Sequence, residues 1–159
     1  MDFFFMTFER MKIEEEIQTT KFRNAFHKAA INLIFTAGWV EDHNKEYFKS
    51  FGITPQQFNI LRIMRGQHPG KISVTEIKAR MLDKNSDVSR LLSRLISKGF
   101  IGKSQCPNDK RAADILITEQ GLNLLKKIDQ GVDQIDLGLF NLTDAEAGQL
   151  NFLLDKCRG

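Results

Sequence analysis

Six side chains between positions 86 and 97, Ser86, Ser89, Arg90, Ser93, Arg94 and Ser97, alternate short hydroxyls with guanidinium groups at helical spacing. A guanidinium forks onto a phosphate or onto the O6/N7 edge of guanine, and serines let a backbone come close to the surface it reads. The same stretch carries Val88, Leu91, Leu92, Leu95 and Ile96 at offsets of three and four. That apolar stripe packs inward and turns the polar set out. Asn85 is expected as the N-cap, with Asp87 in the first turn against the positive end of the helix dipole and Gly99 as the stop. Taken alone, a serine-rich helix face reads as a solvated face; its neighbours along the chain favour the chemical reading.

Upstream, Ser73-Val74-Thr75-Glu76 has the form of a capping box and opens a short helix with Val74, Ile77, Ala79 and Met81. The four residues from Leu82 to Asn85 then have the length of a helix-turn-helix connection. Downstream, the runs 100–105 and 113–117 are β-prone and flank a Pro-Asn-Asp centre, which predicts a hairpin. Lys103, Lys110 and Arg111 give it a basic edge and tip, with Asp109 placed to orient Arg111. An arginine at such a tip suits a narrow, electronegative minor groove. Residues 73 to 121 therefore read as a DNA-binding winged helix, with Ser73, Ser86, Asp87, Ser89, Arg90, Ser93, Arg94, Lys103, Asp109, Lys110 and Arg111 as candidate contacts.

Charge is distributed to match. Residues 71 to 111 hold ten Lys or Arg against four acids, while the remainder holds thirteen against sixteen, so the overall +3 conceals a basic module in an acidic body. One surface meeting phosphate leaves that footprint. No apolar run approaches the ~20 residues that span a bilayer, and the opening Met1 to Met6 lacks a basic leader, so a cytoplasmic location is expected. Cys106 and Cys157 do not have metal-ligand spacing, and His27, His43 and His68 lie far apart, with the acids around His43 explained by a solvated face. No metal and no cofactor is expected. An enzyme is disfavoured because there is no glycine-rich phosphate loop and no plausible nucleophile-base order. The remaining alternative is a winged-helix protein-interaction module that docks through Phe3, Phe4, Phe5 and Phe8.

The flanks must position the reading module. From about Thr20 to Ser50, Phe22, Phe26, Ala29, Ala30, Leu33, Ala37 and Val40 recur at helical spacing, predicting one helix too long for a small domain to cover. Ile53-Thr54-Pro55-Gln56-Gln57-Phe58 combines a cap, an N1 proline, a capping box and a hydrophobic staple, starting a helix that runs to about Gln67. Thr118 caps a helix with Leu122, Leu125, Ile128, Val132, Ile135 and Leu139, and Thr143 with Glu146 opens a last one carrying Leu150, Leu153 and Leu154. Packing within one chain is the plainer use of these stripes; pairing with a second chain is the other. The 159 residues are expected to form one compact unit.

With these pieces in order the chain resembles the MarR family of bacterial transcriptional regulators from about residue 20 to 156. The wing segment from Asp109-Lys110-Arg111 to Thr118-Glu119-Gln120-Gly121 is the most specific match. The segments 52–58, 87–95 and Lys98-Gly99 resemble the family's second-helix start, recognition helix and exit. The resemblance implies a mainly α fold with a small β-hairpin wing (module about 53–117), dimerisation helices at about 20–50 and 118–156, and residues 1–19 as an extension. It implies a homodimer on a pseudopalindromic operator of double-stranded DNA, often released by a small-molecule effector. Trp39 and Tyr47 are candidates for lining an effector pocket, though core or interface is the commoner use of such aromatics. Two departures stand out: Ala112 where a glycine is common, and Asp114 where the strand is often apolar. The thiol that some relatives use for sensing near the first long helix has no counterpart here, and Cys106 reads as incidental.

Overall fold

A computed structural model of the chain describes the backbone of residues 12–106 and 109–159, and the side chains of these apart from 104–106, 109–113 and 132–140. The phenylalanines of the opening and the side chains of Cys106, Asp109, Lys110, Arg111, Val132, Ile135 and Leu139 therefore lie outside the described residues.

Two units are described in turn, Met1–His43 and Asn44–Gly159. In the first, α1 (Ile13–Glu16) lies within the segment expected as an extension, and buries Ile13. Glu14 of α1 pairs with Lys28 of α2 (Ala25–Lys49). That helix begins five residues later than its apolar pattern predicts. Asn24 Oδ1 accepts the His27 N–H at 2.9 Å, which ends the extended run before it. With 25 residues α2 extends roughly 38 Å. Phe26, Leu33 and Ile34 stand exposed on it, Phe26 at 85% of its surface.

The second unit begins with the end of α2 and continues through α3 (Pro55–Arg65), β1 (Ile72–Ser73), α4 (Val74–Arg80), α5 (Val88–Ser97), β2 (Ile101–Cys106), β3 (Asp109–Ile117), α6 (Glu119–Phe140) and α7 (Asp144–Arg158). The capping boxes at Thr54, Ser73 and Thr143 are all formed. Buried Gln57 is satisfied by its box, its Oε1 accepting from Thr54 N at 3.1 Å. The hairpin is present and pairs Ile101 with Ile117 and Lys103 with Ile115. Sequence patterning did not reveal β1, which makes a third strand in the order β1-β3-β2 through Ile72 opposite Ile115 and Ser73 opposite Asp114. Two residues are too few for a period-2 signal.

Ile60, Leu61 and Met64 of α3, Ile77 of α4, Leu92 and Leu95 of α5, Ile115 and Ile117 of β3, and Leu125 and Ile128 of α6 close one core. Each such side chain contributes ~1.5 to 3 kcal/mol by leaving water. Ala79, expected to face inward, is exposed because α4 stops at Arg80 and Met81 turns extended to reach the core instead. Ile96 falls at the rim of the α5 stripe and is 38% exposed. No helix among the described residues is long and apolar enough to cross a membrane.

Candidate nucleic-acid interface

The helix-turn-helix is set by side chains that bond backbone. Ser73 Oγ accepts the Glu76 N–H at 3.2 Å and donates to the Glu76 carboxylate at 2.7 Å, so α4 starts sharply. The Ser73 backbone N–H, and then its hydroxyl, hold the Glu76 carboxyl below its usual pKa, with Arg80 adding a smaller attraction. Ser73, a candidate DNA contact, thus has its hydroxyl in a cap and its backbone in β1.

The turn after α4 is built by Asp83. Its carboxylate accepts from Asn85 N at 2.9 Å and from Ser86 Oγ at 2.8 Å, and these two bonds, the backbone one first, pull its pKa down. This bond corrects the expected N-cap. With Asn85 and Ser86 folded back onto Asp83, α5 begins at Val88 and Asp87 caps it, Oδ1 accepting from Arg90 N at 3.1 Å. Leu82 N donates to Asn59 Oδ1 at 3.0 Å, which pins the same turn to α3.

On α5, Val88, Leu92 and Leu95 are buried, and Ser89, Arg90, Ser93 and Arg94 are exposed. Ser93 Oγ donates to the Ser89 carbonyl and Ser97 Oγ to the Arg94 carbonyl, so these hydroxyls hug their own helix and keep the face low. Ser86, Asp87, Arg90 and Arg94 line one shallow, open depression, joined there by Gln56 from α3. Sequence reading did not single out Gln56, Asn59 or Asp83. Asp83 was within reach of it, since an Asp followed at two and three residues by Asn and Ser is an Asx-turn pattern. Asn59 was not, because its partner is 23 positions away.

The exit of α5 explains the Thr-x-x-Gly element. Gly99 has φ +74, and Phe100 N and Gly99 N return to the Leu95 and Ile96 carbonyls at 3.1 and 2.9 Å. Thr118 Oγ1 donates to the Gly99 carbonyl at 2.7 Å and accepts from Gly121 N at 3.1 Å. A Cβ on Gly121 would lie 2.3 Å from the Phe100 carbonyl oxygen. Thr118 and Gly121 therefore seat the end of α5 directly on the start of α6.

The basic character needs sorting by what each cation touches. Lys84 Nζ donates to the Ala79 carbonyl at 2.6 Å, Lys98 Nζ to the Gly52 carbonyl, and Lys71 faces Asp114 at 3.9 Å. These three steady the fold. Arg90, Arg94 and, on β2, Lys103 are exposed. Asp114, the acid beside the apolar run Ile115 to Ile117 of β3, pairs with Ser73 across the sheet and meets Lys71. Tyr47, considered for an effector pocket, lies in an aromatic cluster with Phe48 and Phe51, and Trp39 packs on His43 with ring centroids 4.5 Å apart.

The MarR family model matches residues 53–113, the span from the start of α3 into the wing. The multiple antibiotic resistance protein MarR of Salmonella typhimurium is 32% identical over 112 residues, covering 69% of this chain and 76% of that protein. The uncharacterised HTH-type regulator YkoM of Bacillus subtilis is 29% identical over 89 residues, and the chain spans 56% of that regulator's length. Among solved structures, a MarR variant from Escherichia coli complexed with operator DNA superposes with a TM-score of 0.71 at 28% identity, covering 84% of this chain and 98% of that one.

Proposed function

The chain belongs to the MarR family, whose members are transcriptional regulators and not enzymes, and on that premise we propose that it is a cytoplasmic homodimer that represses transcription by gripping a pseudopalindromic operator. The observation that carries this reading is the outward face of α5, where Arg90 and Arg94 are exposed beside Ser86 and Asp87 on a helix anchored by a buried stripe. A helix so mounted fits a major groove, and its guanidinium groups supply both guanine-edge and phosphate bonds. The relative whose structure contains operator DNA supports duplex DNA as the partner.

Dimerisation is supported by the apolar surface that α2 and α7 each leave uncovered: Phe26 and Ile34 on the one, Phe152 and Leu153 on the other. Two copies would present two recognition helices about 34 Å apart, one turn of duplex. A small effector that binds more tightly to a dimer with mismatched spacing would release the operator.

The test is fluorescence anisotropy of the full chain with the inverted repeat nearest its own gene and with a scrambled duplex, across a salt series, paired with sedimentation to establish stoichiometry. A dimer that prefers the repeat, with affinity falling steeply as salt rises, supports the proposal. A monomer at micromolar concentration, or binding that ignores salt, refutes it and favours the protein-interaction alternative.

A further inference from the structure

The side chains presented by α5 and the turn before it divide by hydrogen-bond role. Arg90 and Arg94 only donate. Asp87 only accepts, and capping engages one of its two oxygens. Ser86, in the turn before the helix, has a hydroxyl that in principle does either, as the serines of α5 itself do. Asp83 decides which: Ser86 Oγ lies 2.8 Å from Asp83 Oδ2, and an ionised carboxylate has no proton to give. The proton of Ser86 therefore points back at Asp83, whose other oxygen is held by Asn85 N. Lone pairs are what Ser86 has left to turn toward a base.

We propose that Ser86 and Asp87 form an acceptor-only tip that selects an amino base, adenine or cytosine, over a keto base, guanine or thymine, at one strand position of each half-site, with Asp83 as the positioning residue. In the major groove adenine N6 and cytosine N4 are donors, whereas guanine O6 and thymine O4 are acceptors. An amino base meets the tip with a proton; a keto base meets it lone pair to lone pair. The discrimination is between strands as much as between base pairs, because every Watson–Crick pair presents its major-groove amine on one strand only. Further along α5 the pattern inverts, with Arg90 and Arg94 suited to the acceptors that the tip rejects. This inference rests on the operator-binding reading above and adds to it a base-class preference.

The test selects duplexes from a randomised pool with the full chain, then measures anisotropy on single-position variants for wild type, Asp87→Asn, Ser86→Ala and Asp83→Ala. Asparagine caps as well as aspartate, so Asp87→Asn keeps the helix start while adding donors to the tip. The position whose preference changes in Asp87→Asn is expected to favour adenine or cytosine by about tenfold in wild type. That preference should fall to within about twofold in Asp87→Asn and Ser86→Ala, and in Asp83→Ala, which frees the hydroxyl to donate. A wild-type preference for guanine or thymine there, or no position altered by Asp87→Asn while salt-dependent binding persists, overturns the inference and leaves operator binding intact. Failure to bind any duplex at low salt overturns both.

Discussion

The hydroxyl of Tyr47 donates a 3.0 Å hydrogen bond to the backbone carbonyl of Ile128, eighty-one positions further along the chain. The bond ties the last turns of α2 to the middle of α6, and Arg65 of α3 pairs with Asp129 one residue on. Gly131 makes room for it, since a Cβ there would lie 3.1 Å from the Tyr47 oxygen. Tyr47→Phe should lower stability by about 1 kcal/mol. Gly131→Ala gains up to ~1 kcal/mol of helix propensity but crowds the hydroxyl, so it should be neutral or harmful in wild type and stabilising in the Tyr47→Phe background. Urea unfolding of the four proteins measures the cycle; simple additivity would refute the close approach.

Gly121 should be the least substitutable glycine of the reading module. Its Cβ would approach the Phe100 carbonyl oxygen to 2.3 Å and Ile117 Cγ1 to 2.9 Å, and the first of these is backbone that cannot rotate away. Gly121→Ala is expected to cost ~3 kcal/mol or more, against roughly 1 kcal/mol for Thr118→Ala, which removes a cap. Thermal unfolding of both variants checks the order. A Gly121→Ala protein as stable as wild type would show that α5 does not rest on α6 through this contact.

Local rules made much of this fold legible. The boxes at Thr54, Ser73 and Thr143 are pairings at i and i+3, and each formed where residue type and spacing placed it. The α5 stripe was equally plain, because a strong apolar period survives any tertiary context. What escaped reading depends on partners remote in sequence or on competition among neighbours. β1 exists because Ile72 and Ser73 meet β3 some forty residues later. Asn85 lost the cap to Asp87 because Asp83 captured its N–H first.

Acid should loosen the helix-turn-helix before it loosens the core. Glu76 and Asp83 both titrate lower in the folded chain than as free carboxyls, because backbone N–H groups and serine hydroxyls favour the ionised forms. Folding therefore gains from their ionisation above about pH 5, and that gain is lost as the pH falls through their lowered folded values. Side-chain carbon NMR across pH 2 to 7 should place both midpoints below those of exposed carboxylates, and stability of Glu76→Gln should depend less on pH over that range. Ordinary midpoints at both residues would mean that the Ser73–Glu76 cap and the Asp83 turn are not populated in solution.

Arg90 and Lys103 are both exposed cations, yet their placements predict different defects. Arg90 rises from α5 beside Ser86 and Asp87, with its N–H locked into the cap, so its guanidinium is aimed by a rigid helix. Lys103 sits on β2 opposite Ile115, on a strand edge that suits phosphate rather than a base edge. Arg90→Ala should cost ~1 to 3 kcal/mol on the preferred operator and relax selection at one base pair, while leaving a scrambled duplex nearly unaffected. Lys103→Ala should weaken both duplexes alike and reduce the salt slope by about one. Anisotropy titrations of both variants on both duplexes at three salt concentrations separate the roles. Equal losses on the two duplexes for Arg90→Ala would demote that residue to a phosphate contact and move the reading of bases elsewhere on α5.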